Sequence, residues 1–313
     1  MEDNHEIDIS IIIPFLNEED NIPFLTESLN EFCSKRKQLS FEVIFVDDGS
    51  EDNSIELLAK LKYEYYNAKL IKLSKTFGAH AALRAGILNC NASYVTFFNA
   101  DLQDPIELID VLNQNMQKGY DLVWAVREKT NVNFFEKVFS SLYAILMRKF
   151  VSEAFPDKGL DIVMFNNKVR NMLNQNIENN SSIFLQIITS GFNQGSISYQ
   201  KKRRNIGKSK WTLSKKIKLL IDSFVGFSYM PIRLVSIVGI FFFIIGIIGI
   251  IYIVFRTIIF KDLVQGWPML ISILLLGFGI TNIGMGIIAE YLWRTLDASR
   301  NRPVFIIDKI IDL

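Results

Sequence analysis

The chain has 313 residues, half of them hydrophobic, and a formal net charge of +1. Two cysteines, Cys33 and Cys90, and two histidines occur without a C-x-x-C spacing, which disfavours a zinc site and predicts reduced thiols in a cytoplasmic compartment. The acidic, polar start shows no cleavable signal peptide, so the N-terminal domain is expected to stay on the side of the membrane where it is made.

From Asp8 to about Val126, short apolar runs alternate with helical patterns. The predicted strands are Ile9–Pro14, Phe41–Asp47, Leu70–Leu73, Tyr94–Phe98 and Leu122–Val126. The predicted helices are Glu19–Ser34, Asn53–Tyr66, Ala79–Asn89 and Ile106–Lys118. Strands made of continuous Val, Ile and Phe runs, separated by helices, indicate a mostly parallel sheet covered on both faces. The predicted fold class is therefore α/β.

Polar residues follow three of these strands, where each strand ends. They are Asn17 and Glu18 after the first strand, Asp47 and Asp48 after the second, and Asn99 and Asp101 after the fourth. Ligands of parallel sheets bind at the carboxyl ends of the strands, so these side chains are expected to share one rim. No G-x-G-x-x-G or G-x-x-x-x-G-K-[ST] motif occurs, which argues against a dinucleotide fingerprint and a P-loop.

Residues 95–105 end an apolar run in a cluster of amide and carboxylate side chains. Alternation along the strand turns Asn99 and Asp101 to the same side. Oxygen ligands held this close suit Mg2+ or Mn2+, bound together with substrate phosphates. The alternative is a solvated strand-to-helix turn in which Asp101 helps to cap the next helix.

The turn over residues 47–50 has two interpretations. A D-G pair most often marks an ordinary tight turn. Two adjacent carboxylates, Asp47 and Asp48, would however repel each other unless something is bound or donates hydrogen bonds to them. A ribose hydroxyl or the N–H of a base edge would be a suitable partner.

Two later segments have apolar stripes bordered by charges. Residues 134–150 predict a helix that packs in the core or lies at a membrane interface. Residues 212–228 predict a second helix, whose basic face suits anionic lipid headgroups. From Lys201 to Lys218 there are nine Lys or Arg and no acidic residue. Beside an anionic membrane, each such charge contributes about 1 kcal/mol to the free energy of membrane binding. Trp211 is the only aromatic residue in this strip, which disfavours nucleic-acid binding.

Two long uncharged segments follow. Leu234–Phe255 has 22 residues, which as a helix would extend roughly 33 Å, about one hydrocarbon core. Leu263–Ala289 has 27 residues, and Pro268 indicates a helix start near Trp267. The two segments predict a transmembrane hairpin, and the density of Lys and Arg outside it predicts that both chain ends are cytoplasmic.

Several motifs, taken in order, resemble those of a known family. IIIPFLNEEDNI, FEVIFVDDGSEDNS, LSKTFGAHAALRAGI and NADLQDPIEL resemble the successive motifs of family 2 glycosyltransferases with the GT-A fold. RNIGKSKW, SFVGFSYMPIRL, the two apolar segments and EYLWRTLDASRNRPVFII narrow the resemblance to bacterial polyprenyl-phosphate glycosyltransferases. This group is similar to dolichol-phosphate mannose synthases and undecaprenyl-phosphate sugar transferases, and the resemblance covers nearly the whole chain.

The resemblance implies a domain order. The expected parts are a cytoplasmic GT-A domain over 1–210, an amphipathic juxtamembrane helix over 211–230, a transmembrane hairpin over 231–292 (about 232–256 and 267–290) and a cytoplasmic tail over 293–313. In the tail, Arg302–Ile307 predicts a strand that pairs either with another subunit or with the main sheet.

The resemblance also implies an activity. The expected reaction is transfer of a sugar from a nucleotide diphosphate sugar, expected to be a UDP-sugar, to a polyprenyl phosphate, expected to be undecaprenyl phosphate. It would occur at the cytoplasmic face of the bacterial inner membrane, with Mg2+ or Mn2+ as cofactor and with inversion at the anomeric carbon. The lipid bilayer is an expected partner, nucleic acid is not, and a homotetramer fits the family and the C-terminal strand.

The family motifs assign roles to particular residues. The predicted nucleotide-sugar site consists of Pro14, Leu16, Asn17, Glu18, Asp48, Ser50, Asn99, Ala100, Asp101 and Gln103. The predicted metal ligands are Asn99, Asp101 and Gln103, which match the D-x-D motif and the Gln after it. The predicted catalytic residues are Asp101, Arg127, Asp161, Arg204 and Lys210. The three cations among them would stabilise the phosphates, and Asp161 would orient the acceptor phosphate.

The chain departs from the family pattern at three positions. Asn99 replaces the first Asp of D-x-D and removes one negative charge from the metal site. Val163 stands where an Arg is usual, so that residue's phosphate contact is missing or supplied elsewhere. Lys201 replaces an Arg and keeps the charge but not the bidentate geometry. The departure at Asn99 keeps a rival open, a catalytically impaired membrane-bound scaffold that binds nucleotide sugars. A processive polysaccharide synthase is a second rival, but it would need more spans and a Q-x-x-R-W motif.

Overall fold

The computed structural model describes residues 7–128, 141, 144–149, 152, 155–156, 162–178, 182–200, 230–260, 266–300 and 302–313. The chain divides into two compact units. The first comprises Met1–Leu219 and Pro303–Leu313, and the second comprises Leu220–Arg302. The C-terminal residues therefore belong to the same unit as the N-terminal domain.

The first unit is built on an eight-stranded sheet. Its strands are β1 Ile7–Phe15, β2 Phe41–Asp47, β3 Asn67–Leu73, β4 Ala92–Phe97, β5 Leu122–Arg127, β6 Ile162–Asn166, β7 Gln194–Tyr199 and β8 Ile307–Asp312. The strand order is β7-β5-β6-β4-β1-β2-β3-β8. The pairs β1–β2, β1–β4, β2–β3 and β5–β7 are parallel, and β6 and β8 pair antiparallel to their neighbours. This arrangement confirms the predicted α/β class with a mostly parallel sheet.

Helices pack on both faces of the sheet because its central strands are mostly apolar and buried. Among the helices of this unit are α1 Ile22–Ser34, α2 Ser54–Lys60, α3 Ala79–Leu88, α4 Leu108–Met116, α5 Asn167–Gln175 and α6 Ile183–Ile188. Every residue of β2 is buried, as expected for a strand covered from both sides. Helix α3 lies so close to β1 that a Cβ added to Gly86 would overlap the Cγ2 atom of Ile12.

The structure corrects several predicted element boundaries. Helix α2 ends at Lys60 rather than Tyr66, because Leu61 is extended and the Tyr63 hydroxyl folds back to donate to the Leu58 carbonyl over 2.6 Å. Strands β6 and β7 were not predicted.

The C-terminal strand is also displaced from its predicted position. It runs over Ile307–Asp312 and not over Arg302–Ile307. Of the two partners that the sequence left open, it pairs with the main sheet, antiparallel to β3. Within 134–150, the described residues 141 and 144–149 are helical. The predicted helix 212–228 lies outside the described residues.

The second unit contains two long helices, α7 Met230–Phe260 and α8 Trp267–Ser299. The predicted start at Trp267 is confirmed. Many described side chains on both helices are large, apolar and exposed, among them Ile240 at 59%, Ile258 at 71% and Phe278 at 66%. Judged on the described residues alone, no helix reaches the length and apolarity that a membrane crossing requires.

Candidate active site

The loops that follow β1, β2 and β4 lie at one edge of the sheet. β1 is between the other two strands, with Phe15 paired to Asp47 and Ile12 paired to Phe97. Backbone hydrogen bonds continue this register beyond the strands, from Asp48 N to Phe15 O and from Phe98 N to Ile12 O, each 3.0 Å. Since neighbouring strands are about 4.8 Å apart, β2 and β4, on either side of β1, lie roughly 10 Å apart across the sheet. The predicted donor residues thus occupy one rim, as the sequence indicated.

Asn17 and Ser50 join the first two of these loops. The Asn17 N–H donates to Ser50 Oγ over 2.9 Å, and Asn17 Oδ1 accepts from the Glu51 N–H over 2.8 Å. Asn17 has a φ of 51°, in the left-handed region that Asn tolerates better than most residues. The Glu18 N–H donates to Ser54 Oγ over 3.0 Å. These contacts hold the two loops against each other, so Glu18 is presented from a fixed backbone.

The carboxylate of Asp48 holds the loop that precedes α3. It is 5% exposed and accepts hydrogen bonds from Phe77 N at 2.7 Å and from Gly78 N at 2.9 and 3.0 Å. Gly78 is the N-cap of α3 and has no side chain, and Asp48, 30 residues earlier in the chain, satisfies its N–H and that of the preceding residue. Gly78 has a φ of 103°, which favours glycine. The predicted contact of Asp48 with the nucleotide stays a prediction.

An acidic cavity in the loops after β1 and β2 is lined by Asn17, Glu19, Asp20, Glu51 and Asp52. Two of its carboxylates are engaged with backbone, since Asp52 accepts from Glu19 N at 3.1 Å and Glu19 accepts from Asn53 N at 3.0 Å. Its negative charge makes this cavity unsuited to a diphosphate. The loop after β4 carries only two carboxylates, Asp101 and Asp104, among the amides of Asn99 and Gln103.

That loop holds the candidate metal ligands Asn99, Asp101 and Gln103. Asp101 Oδ1 accepts from the Gln103 N–H over 3.2 Å. Leu102 between them has a φ of 56°, unusual for a residue with a Cβ, so the chain reverses sharply there. Among the described residues there is no group of three or more His, Cys, Asp or Glu that could hold a metal. One carboxylate with amide oxygens nevertheless fits Mg2+ or Mn2+ bound mainly by substrate phosphates.

Asp104 is a site residue that the sequence did not single out. It is 4% exposed, and its Oδ2 accepts from Asn99 Nδ2 at 2.9 Å while its Oδ1 accepts from the Tyr199 hydroxyl at 2.8 Å. An Asp before a Pro at a strand-to-helix turn is common, so the sequence alone gave no reason to prefer it. The only available signal was its position one residue beyond the predicted ligand Gln103.

Arg127 ends β5 at the same edge and is half-buried, paired in register with Tyr199 of β7. The Glu128 N–H donates to Tyr199 O over 2.8 Å. Asp161, Arg204 and Lys210 lie outside the described residues, so their predicted roles stay predictions. Strand β6 begins at this edge, since Ile162 pairs with Ala125.

Helix α3 carries two residues that were not predicted as part of a site, His80 and the buried Arg84. Arg84 is 3% exposed, and its Nη2 donates to Gln186 Oε1 over 2.8 Å. The His80 ring packs edge-on against the Phe184 ring, with 5.6 Å between the ring centroids. Its buried Nδ1 has no hydrogen-bond partner among the described residues. Burial, together with the nearby Arg84 charge, lowers the pKa of His80 to about 4, so the imidazole is neutral at pH 7.

Residues 10–198 match the family model described as glycosyl transferase family 2. The chain belongs to this family. The matched segment contains all three loops of the rim, together with Arg127 and Asp104. The chain is therefore a glycosyltransferase, and the predicted resemblance to family 2 is confirmed.

Similar proteins extend the likeness over nearly the full chain. The uncharacterized glycosyltransferase YkcC of Bacillus subtilis is 31% identical, covering 98% of this chain and 95% of the relative. The undecaprenyl-phosphate 4-deoxy-4-formamido-L-arabinose transferase of Yersinia enterocolitica is 29% identical, covering 97% of this chain and 93% of the relative. A crystal structure of glucosyl-3-phosphoglycerate synthase from Mycobacterium tuberculosis, in complex with Mn2+, UDP and phosphoglyceric acid, aligns with a TM-score of 0.49 at 15% identity, covering 70% of this chain and 76% of that one.

Proposed function

We propose that this family 2 glycosyltransferase transfers one sugar from a UDP-sugar to undecaprenyl phosphate or a similar polyprenyl phosphate. The observation that carries the proposal is the convergence of the loops after β1, β2 and β4 at one edge, with Asp101 as a carboxylate among amide oxygens. Full-length likeness to a named undecaprenyl-phosphate sugar transferase supports the choice of acceptor.

The donor would lie along this rim. Pro14, Leu16, Glu18 and Asp48 would contact the nucleoside, and Ala100 and Asp101 would contact the diphosphate. Mg2+ or Mn2+ would be held by Asp101, by the amide oxygens of Asn99 and Gln103 and by the diphosphate itself, and it would supply Lewis-acid neutralisation of the leaving group. With one protein carboxylate among these ligands, metal affinity would depend strongly on bound nucleotide.

The chemistry needs few groups from the protein. An oxygen of the acceptor phosphate attacks the anomeric carbon, the bond from that carbon to the diphosphate oxygen breaks, and nucleoside diphosphate leaves. The acceptor phosphate is already anionic near neutral pH, so a strong general base is not required. Arg127, Arg204 and Lys210 would stabilise the phosphate charges, and Asp161 would orient the acceptor. A single in-line displacement inverts the anomeric carbon, since no protein carboxylate forms a covalent intermediate.

The acceptor is a membrane lipid, so the enzyme is proposed to be anchored at the cytoplasmic face of the bacterial inner membrane. The uncharged runs 234–255 and 263–289 would form the hairpin, and the exposed apolar side chains of α7 and α8 suit lipid contact. The basic strip from Lys201 to Lys218 would face anionic headgroups. A homotetramer in the membrane remains part of this proposal.

The test uses the purified full chain with Mn2+ or Mg2+, a panel of labelled nucleotide sugars and undecaprenyl phosphate. We expect a lipid-linked sugar from one donor. Asp101→Ala is expected to lower the rate by about 100-fold or more, since it removes the sole carboxylate among the predicted ligands. Asp308→Ala, on the exposed edge strand β8, is the matched control and should stay active.

Asn99 favours a second candidate, a scaffold that binds nucleotide sugars without transferring them. The same assay separates the two. Donor binding with no lipid-linked product from any sugar in the panel would support the scaffold. An active Asp101→Ala enzyme would instead refute the metal assignment.

A further inference from the structure

Asp104 connects parts of the site that are distant in the sequence. Its carboxylate is almost fully buried and is bonded on one oxygen to Asn99 and on the other to Tyr199. Tyr199 is the last residue of β7, is itself 6% exposed, and pairs in register with Arg127. Strands β6 and β5 separate β4 from β7 in the sheet. The Asp104 carboxylate thus connects the loop after β4, which holds the predicted metal ligands, to the β5–β7 strand pair, in which Arg127 lies.

The hydrogen bond to Asp104 fixes which way the amide of Asn99 points. A carboxylate only accepts hydrogen bonds, so the group facing Asp104 at 2.9 Å must be the NH2 of Asn99 and not its carbonyl oxygen. The carbonyl oxygen is therefore directed away from Asp104. An oxygen is what a hard cation needs, whereas an amide nitrogen would be useless as a ligand.

The residue types at positions 99 and 104 are matched to each other. A carboxylate at position 99 would place two acidic groups in hydrogen-bonding distance, and they would repel. Asn99 removes one charge from the D-x-D motif, which at first suggests an impaired metal site. In this structure, however, its amide donates a hydrogen bond to the buried carboxylate of Asp104. An unpaired buried carboxylate is costly, so this pairing stabilises one loop conformation.

We propose that Asp104 is a positioning residue that, braced by Tyr199, holds the amide of Asn99 with its carbonyl oxygen toward the cation of the donor complex. This inference rests on the proposed function, since it takes the nucleotide-bound metal as the ligand. Asp104 itself need not touch the metal or the substrate. Its effect passes through Asn99, as outer hydrogen-bond partners commonly act on metal ligands.

The experiment is an exchange of the two residue types in the full-length protein. Asn99→Asp, Asp104→Asn and the double variant are compared with wild type in three measurements: Mn2+ affinity in the presence of UDP by electron paramagnetic resonance, the melting temperature, and the separate kcat and KM for the donor. The double variant can rebuild both hydrogen bonds with the roles reversed. The amide introduced at position 104 would donate through its NH2 to the carboxylate introduced at position 99, and its oxygen would accept from the Tyr199 hydroxyl.

We expect Asn99→Asp to bind Mn2+ about tenfold more weakly than wild type despite its added negative charge, the lower end of the usual loss for such partners. The double variant should recover most of that loss. Tyr199→Phe, which removes one donor but no charge, should weaken Mn2+ binding less than Asn99→Asp does. Asp308→Asn on β8 is the control and should change none of the three measurements.

Tighter Mn2+ binding by Asn99→Asp would overturn the inference, and so would a double variant no better than Asn99→Asp. Melting temperatures that fall while Mn2+ affinity stays constant would assign Asp104 a purely structural role. Wild-type protein that binds no Mn2+ with UDP would also overturn it. Mn2+ binding with the expected pattern, but without lipid-linked product, would refute the proposed function and leave the inference standing.

Discussion

Replacing Asp48 by Asn should loosen the loop before α3 while changing its shape very little. The wild-type carboxylate accepts from Phe77 N and Gly78 N through both of its oxygens. The Asn side chain keeps one acceptor and turns an NH2 group toward one of these N–H groups. One charge-assisted hydrogen bond is lost at a site that is 5% exposed, which we estimate at about 2 kcal/mol.

Amide hydrogen exchange measures this loss locally. A cost of about 2 kcal/mol in the opening of the loop corresponds to about 30-fold faster exchange at Phe77 and Gly78. Glu51→Gln, an exposed carboxylate on the neighbouring loop, is the matched control and should leave exchange unchanged. If exchange at Phe77 and Gly78 in Asp48→Asn matches wild type, the carboxylate does not hold this loop and the reasoning fails.

Three further predictions follow from packing and charge. Gly86→Ala should destabilise the protein by about 1–3 kcal/mol despite the better helix propensity of Ala, because Ile12 is in the way; an unchanged or higher melting temperature would contradict this. Ile311→Asp should lower the melting temperature more than Ile310→Asp, since Ile311 packs on the core and Ile310 is 47% exposed; equal effects would show that β8 does not rest on the core. His80 takes up a proton more readily in the unfolded state, because its pKa in the folded state is about 4. The free energy of unfolding therefore falls as pH drops below about 6.5, by about 1 kcal/mol at pH 5.5. His80→Gln should remove that part of the pH dependence, and identical pH profiles of unfolding for the two proteins would refute the assignment.

The sequence predicted the rim because the relevant signals are local. The end of a Val/Ile/Phe run followed by Asn, Asp or Glu marks the carboxyl end of a buried parallel strand, and such ends gather at one edge whatever the strand order. Strand β2 was predicted with its observed bounds, Phe41–Asp47. The start of α8 at Trp267 also followed from a local rule, the preference of Pro for the first turn of a helix.

Other features depended on contacts between distant residues. Helix α2 stops at Lys60 because tyrosines beyond it pack inward, although the helical pattern continues. Strand β7, with the sequence QGSISY, has little apolar pattern, and it is a strand because β5 offers it a partner in register. The tail strand was displaced by five residues from its predicted start, since its position is set by the free edge of β3 and not by its own sequence.

By itself, the sequence determined the α/β class, the edge of the sheet where the candidate residues lie and the residues that could supply oxygen ligands, because strand periodicity and strand ends depend on neighbouring residues. Only the tertiary structure decided that Asp48 accepts the N–H groups of Phe77 and Gly78 just before α3 and that Asp104 joins Asn99 to Tyr199. Hydrogen bonds between residues tens of positions apart leave no local pattern, so the partner of a buried carboxylate is known only once the chain has folded around it.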